Sequence, residues 1–395
     1  MKRIYMDNAA TTRVTQPVLE AMMPFFSEVY GNPSSIHAFG REARKAIEAA
    51  RNQVAAALGA NPGEIYFTGC GTESDNWALR GTAYARKNKG KHIITSAIEH
   101  HAILHTCQQL EREGFEVTYL PVDEMGLVHP EELEKAIRPH TCLISVMYAN
   151  NEVGTIQPIE KVSYVAKKHH VLFHTDAVQA YGHVTINVKM SGIDMLSASG
   201  HKLNGPKGIG FLYVNKDIDF PPFLHGGHQE GGKRAGTENV AGIIGLGKAA
   251  EIAETMMEER EEKVKAMRDY LMNRILTEIP YVRVNGSRKT RLSGNCNFSF
   301  QFIEGSSLLI LLDTDGICAS AGSACSSGQS SPSHVLSAMG VPDDIARGTL
   351  RLTIGSQNTM EEIDYTVECI KKHVRKLRAG SPEYEDYQNK NLANQ

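Results

Sequence analysis

The sequence lacks the marks of several whole classes of protein. Its seven cysteines, at positions 70, 107, 142, 296, 318, 325 and 369, are odd in number and nowhere spaced C-x-x-C. That argues against a disulfide framework and against a structural zinc site, so most read as small buried hydrophobes and one as a reactive thiol. No segment approaches the roughly 18 apolar residues that a membrane span needs. The opening MKRIYMDNAATT has two basic residues but no apolar core of signal-peptide length, so a cytoplasmic protein without a membrane partner is expected. Charge of one sign is missing as well: a formal net charge of -3 over 395 residues gives no field favouring nucleic acid or anionic membrane. There is no internal repeat. Small-molecule chemistry without direct nucleic-acid binding is the expectation.

What is present is length and alternation. A chain of 395 residues exceeds one core of ordinary size, which predicts one large domain with a smaller satellite. From Pro17 to about Leu58 the pattern reads helical. Seven apolar runs then read as strands: EIYFT, HIITSA, EVTYL, CLISVMYA, VLFHTD, DMLSAS and IGFLYV. Helical stretches such as TESDNWALRGTAYARKN and IEKVSYVAKKH separate them, which implies a mainly parallel α/β sheet wrapped by helices. A charge-laced helical stretch from about Asn239 to Ile275 carries the expected boundary in its middle. The large domain is thus read as 15–258 and the small one as 1–14 with 259–395. The one biased segment, Ala319 to Ser333, has seven serines and two glycines around Cys325, the composition of a mobile loop spanning about 318–334.

One lysine stands out from the solvated majority. In SASGHKLNGPKGIG, Lys202 follows a strand end, where open α/β sheets place ligands, and Gly200, Gly205, Gly208 and Gly210 allow close backbone approach. Such a lysine can form a Schiff base with a carbonyl, most usefully the aldehyde of pyridoxal 5'-phosphate. That cofactor would make three further demands. Its pyridine nitrogen needs a carboxylate, and VLFHTDAVQA offers Asp176 at another strand end with Gln179 to reach the ring hydroxyl. Its ring needs a stacking partner that can also act as acid or base, and either His100 or His101 of EHHAI can supply the imidazole. Its phosphate needs N–H and hydroxyl donors: the turn YFTGCGTESDN supplies Gly71 and a capping Thr72, and Ser199 and His201 flank the lysine.

Together these segments resemble the NifS- and IscS-type cysteine desulfurases, within the class V aminotransferase family and the fold type I pyridoxal phosphate enzymes. The ordered set runs YMDNAATT, GNPSSIHAFGREA, GTESDN, EHHAI, NNEVGTIQPI, HTDAVQA, SASGHKLNGPKGIG, RAGTEN, GSACSSG, SHVL and LRLTIG, covering nearly the whole chain. The resemblance implies fold type I, with a mainly parallel seven-stranded sheet in the large domain and a smaller α+β domain. It implies that Lys202 binds the cofactor, Asp176 pairs with the ring nitrogen, Gln179 bonds the ring oxygen, and His100 stacks and serves in catalysis. Gly71, Thr72, Ser199 and His201 would hold the phosphate. Thr237 of RAGTEN would reach the phosphate of a second subunit, which makes a homodimer the expected state. Asn151 and Arg351 would bind the carboxylate of L-cysteine, and Cys325 would be the nucleophile that takes its sulfur as a persulfide, leaving L-alanine. No metal is implied. The sulfur would go to an acceptor, an iron–sulfur scaffold being the expected one.

Other readings remain open on sequence: selenocysteine lyase, another fold type I enzyme, and a non-catalytic partner-binding scaffold. The chain departs from the family's usual pattern at His228 and Gly231 in GGHQEGGKRAGTEN, and in the serines after Cys325. The tail SPEYEDYQNKNLANQ reads either as a scaffold-docking segment or as a frayed terminus.

Overall fold

The computed structural model describes residues 3–321 and 333–393. Its strands are β1 Ile4–Tyr5, β2 Ile65–Thr68, β3 His92–Ser96, β4 Glu116–Leu120, β5 Thr141–Ser145, β6 Leu172–Asp176, β7 Met195–Ser199, β8 Gly210–Val214, β9 Val282–Val284, β10 Asn295–Phe300, β11 Ile317–Cys318 and β12 Thr349–Thr353. The seven apolar runs read from the sequence are β2 to β8. They form one sheet in the order β2-β8-β7-β6-β5-β3-β4. Only β8 runs antiparallel to its neighbours, pairing β2 on one side and β7 on the other.

Burial on both faces explains why these strands, apart from the partly exposed edge strand β4, read as largely apolar runs rather than alternating ones. Ile94, Ile144, Phe173, Leu196 and Phe211 enter one core, with residues of the helices Ala38–Ala56, Ile159–Lys168 and Val240–Thr255. Their chain neighbours Ile93, Leu143, Leu172, Met195 and Leu212 enter the other, beneath the helices Gly71–Arg86 and His101–Arg112. Successive strand side chains point to opposite faces, so one sheet builds two cores. At the centre of the second, Trp77 is fully buried and donates its indole N–H to the Pro221 carbonyl at 3.0 Å.

A third core lies around the sheet β12-β10-β9, with the helices Met257–Glu278, Gly305–Thr314 and Met360–Ala379. The N-terminal segment joins this core to the large sheet. Ile4 and Met6 are buried in it, β1 pairs with β11, and Thr12 then donates its hydroxyl to the His201 carbonyl at 2.8 Å.

Two helical expectations need correction. The stretch from Pro17 to Leu58 is not continuous: helices Gln16–Met22 and Pro24–Ser27 precede Ala38–Ala56, with no helix over 28–37. The sequence GNPSS accounts for the break. Pro33 lacks an N–H and disfavours helical backbone at Asn32. A Cβ at Gly31 would lie 2.4 Å from the Phe39 carbonyl carbon, so the chain closes on itself there. The stretch after Asn239 breaks at Met256 into Val240–Thr255 and Met257–Glu278. The tail forms a helix, Pro382–Ala393, whose Tyr384 and Tyr387 rings lie 5.4 and 5.0 Å from Phe302. Among the described residues no helix is long and apolar enough to cross a membrane.

Of the two unusual positions in GGHQEGGKRAGTEN, Gly231 has a structural reason: its φ of +63° favours glycine, whereas His228 is exposed and nothing in the structure explains it. The adjacent Glu230 accepts both arms of Arg51, each at 2.8 Å, and the Phe67 N–H at 2.8 Å. With Arg51 only 12% exposed, removing Glu230 leaves a nearly buried cation with only the exposed Glu48 at 3.5 Å as counter-charge. Glu230→Ala is therefore expected to cost about 3–5 kcal/mol of stability, read as a lower urea midpoint. An unchanged midpoint would mean that the pair does not hold β2 to this loop.

Candidate functional site

The sheet gathers its chemistry at one edge. β6 ends at Asp176 and β7 at Ser199, with Asp176 opposite Ser197 and Ser199 opposite Gly210. Thr68 at the end of β2 also faces Gly210. The chain leaves β2 through Gly69 and Cys70 into the helix Gly71–Arg86, and leaves β7 into the single turn Gly200–Lys202. These ends surround a cavity of about 260 Å³. Its walls hold Gly71, Thr72, His100, Asn151, Asp176, Gln179, Ser199, His201, Lys202 and Arg351. Ten of the twelve residues singled out in the sequence thus meet in one place.

The other two do not meet them there. Thr237 lines a separate cavity of about 200 Å³ with Gly69, Glu230 and Arg234. Cys325 lies outside the described residues. The chain on either side of it is nonetheless anchored beside the site. Ser320 and Arg351 exchange backbone hydrogen bonds, at 3.2 Å and 2.6 Å. On the far side, His334 bonds the Glu99 carbonyl through Nε2 at 3.0 Å, one residue from His100.

The lysine is held in place by the N-terminal segment. Its Nζ donates to the carbonyls of Ala9 at 2.5 Å and Ala10 at 2.8 Å. Gln179 donates to the same Ala9 carbonyl at 3.0 Å. Asp176 is buried and receives the Val178 N–H at 2.9 Å. Burial raises its pKa, against the Val178 hydrogen bond and the Lys202 charge. Next to it lies Asp75, which the sequence reading did not single out. Its carboxyl is buried, raised well above the carboxylate range by burial and by the Asp176 charge, and its Oδ1 has no hydrogen-bond partner. A third acid, Glu99, is pushed up to about 8 by burial, against hydrogen bonds from Ser96 and the Met147 N–H. Behind this group the buried His174 bridges Ser145 at 2.9 Å and Ser197 at 3.0 Å, and burial brings it down to about 3.

His100 is the N-cap of the helix His101–Arg112, four residues beyond the end of β3 rather than at the strand end itself. Its Nδ1 accepts the Ala102 N–H at 3.1 Å. Burial, then the Lys202, His334 and His105 charges, brings it down to about 4, so the ring is neutral near pH 7 with its proton on Nε2. His201, whose Nδ1 lies 3.1 Å from the Thr11 hydroxyl, is likewise brought down to about 4 by burial, then by Lys202 and Lys207.

Two features of this cavity bear on whether it suits a phosphorylated pyridine. The helix Gly71–Arg86 starts at an N-cap, Cys70, with no side-chain hydrogen bond; Thr72 is its second residue and not the cap expected from sequence. Its first N–H groups therefore open beside the cavity without a side-chain acceptor, as anion-binding helix starts do. On the opposite side a buried carboxyl, Asp176, faces the same space, with the unpartnered Oδ1 of Asp75 beside it. An anion donor set at one end, an acid at the other and an amine between them fit pyridoxal phosphate.

Arg351 is 1% exposed, and half its fork is already in use. Nη1 donates to the Asn151 carbonyl at 3.0 Å and Nη2 to Asp7 Oδ1 at 2.9 Å, while Nε has no partner. Asp7 was not singled out from sequence either. It lies 344 residues from Arg351, and only the tertiary fold brings the two together.

The aminotransferase class-V family model matches residues 4–366. The chain is 55% identical over 381 residues to a cysteine desulfurase IscS of Methanosarcina thermophila, covering 96% of this chain and 94% of that protein. It is 53% identical over 383 residues to a cysteine desulfurase IscS of Dictyoglomus turgidum, covering 97% of each. Among solved structures, a NifS-like protein superposes with a TM-score of 0.89 at 42% identity, over 95% of this chain and all of that one.

Proposed function

The chain belongs to the aminotransferase class-V family and to its cysteine desulfurases, and from that premise we propose how its residues carry the reaction and where the sulfur goes. The enzyme takes L-cysteine to L-alanine with pyridoxal phosphate as cofactor and passes the sulfur through a persulfide on Cys325. The observation that carries this reading is the single cavity that joins Lys202, Asp176, His100, an uncapped helix start and Arg351.

When bound, the cofactor's ring supplies an electron sink for the charge left as the substrate loses its Cα proton. The remaining work falls to the chain. The N–H groups at Gly71 and Thr72, with the side chains of Thr72, Ser199 and His201, hold the phosphate; in a homodimer, Thr237 of the second subunit completes that set. Asp176 pairs with the ring nitrogen, and Gln179 bonds the ring oxygen while keeping its tie to the Ala9 carbonyl. Arg351 and Asn151 take the substrate carboxylate, which competes with Asp7 for the guanidinium and can use its unpartnered Nε. Lys202, once its amine is free, accepts the Cα proton. The neutral ring of His100 stacks on the cofactor and can donate from Nε2.

The thiolate of Cys325 attacks the substrate sulfur: a sulfur–sulfur bond forms, and the carbon–sulfur bond breaks with its electron pair going to the carbon skeleton that becomes alanine. Cys325 lies five positions after Ser320, which is tied to Arg351 at the cavity. An extended chain covers about 3.3–3.6 Å per residue, enough to bring the thiol to the substrate. The persulfide then passes to an acceptor protein, for which iron–sulfur assembly is the proposed destination.

Cys325→Ala tests this directly. Incubated with cysteine and a thiol reductant, the variant is expected to release no sulfide above background while still changing the visible spectrum of the bound cofactor when cysteine is added. Sulfide release at the parent rate would reject Cys325 as the nucleophile.

A further inference from the structure

Lys202 is tied down at its main chain as well as its amine. Its carbonyl lies 3.0 Å from Nε2 of His183, and the other ring nitrogen, Nδ1, lies 3.2 Å from Oε1 of Glu261. Both groups facing the ring are acceptors. The carbonyl carries no proton, and Glu261 already receives the Arg260 Nε–H at 2.9 Å on Oε1 and the Ser293 hydroxyl on Oε2. A neutral imidazole has one N–H and one lone pair, so it would satisfy one acceptor and turn its lone pair on the other. An imidazolium satisfies both.

Burial opposes ionisation of Glu261, but the hydrogen bond and charge of His183, the Ser293 hydroxyl and Arg260 outweigh it and bring that carboxyl down to about 2. The turn that carries His183 is also clamped: Arg260 donates to the Gly182 carbonyl, and Gly182 has a φ of +82° with Leu203 Cβ 3.1 Å from where a side chain would begin. Asp176 and Gln179 belong to the same short segment.

We propose that His183 is a positioning residue for the desulfurase reaction: as an imidazolium it bridges Glu261 to the main-chain carbonyl of Lys202, fixing the backbone from which the reactive amine projects. The proposal rests on Lys202 being that amine. It ties the helix Met257–Glu278, whose Val264, Met267, Leu271 and Ile275 are buried in the third core, to the turn that follows β7 in the large sheet.

The charged groups facing His183 are Glu261 and Arg260 from that helix and Lys202 from the turn; all line one cavity. Glu261 favours the ring's charge, and the two cations oppose it.

The test reads the ring nitrogens of His183 by 15N NMR in the folded chain without cofactor. At neutral pH both nitrogens are expected to carry protons, one held by each acceptor. A neutral ring at that pH would overturn the proposal. Kinetics of two variants supply a second readout. His183→Gln, which can donate from only one end, is expected to lower kcat about tenfold or more, with KM for cysteine within about twofold, because misplacing a reactive group by about an ångström can cost about a hundredfold. His183→Lys, whose ammonium can donate to both acceptors, is expected to restore most of kcat. Equal kcat for the glutamine variant and the parent would also overturn it. Failure of the underlying reading is distinguishable, since it would show as absent borohydride trapping at Lys202 in the parent chain, whatever the state of His183.

Discussion

Lys202→Ala is expected to lower cysteine turnover by about 10³-fold or more, because one substitution removes both the covalent tether of the cofactor and the base for the Cα proton. A positioned acid or base alone contributes about 10²- to 10⁴-fold. The fold should survive the change. The amine is held by two carbonyls, Ala9 and Ala10, on a segment that has other anchors, among them the Thr12 hydroxyl on the His201 carbonyl. Circular dichroism and the urea midpoint should therefore stay close to the parent while desulfurase activity disappears. Retention of more than about a tenth of the parent kcat would remove Lys202 from this role, since it would leave less than the smallest effect expected of a catalytic base.

The second large effect is expected at Asp176. Replacing it by alanine leaves the ring nitrogen of the cofactor without its counter-charge in a buried site, a loss of about 3–5 kcal/mol by analogy with broken buried ion pairs. At about 1.36 kcal/mol per factor of ten, that corresponds to about 10²- to 10⁴-fold in kcat/KM. A linked proton accompanies the pairing. Burial raises the Asp176 carboxyl in the chain alone, and a cationic ring nitrogen would lower it. Cofactor binding below neutral pH should then release a proton in the parent, measurable as a buffer-dependent binding enthalpy, and release less in Asp176→Ala. Unchanged kcat/KM in the variant would place the ring charge elsewhere.

The parts of this molecule that were legible in the sequence are those set by local physics. Six of the seven strands of the large sheet are largely buried and so appear as mainly apolar runs, while the edge strand β4, EVTYL, is partly exposed. Asp176, Ser199 and Lys202 sit at or just beyond strand ends, and a glycine-rich turn marks the last two. The residues that were missed are defined by distant neighbours. Asp7 matters because it takes one arm of Arg351 across 344 positions, and nothing around it in YMDNAATT signals that pairing. Asp75 sits inside an ordinary helical pattern and is distinguished only by being buried beside Asp176. His183 is unremarkable until its two acceptors, 19 and 78 residues away, are seen on either side of its ring. The break over 28–37 was present in the sequence as GNPSS, but the helical periodicity on both sides masked it. Asp75 had a weak signal that could have found it, an acidic residue one turn into a helix that opens on a glycine-rich turn.

The central claim is a covalent one, and borohydride trapping addresses it most directly. The parent chain, reconstituted with pyridoxal phosphate, reduced with borohydride and digested, should yield one pyridoxyl-modified peptide, with the modification on Lys202. Modification at another lysine, or none at all in a protein that still turns over cysteine, would contradict the account.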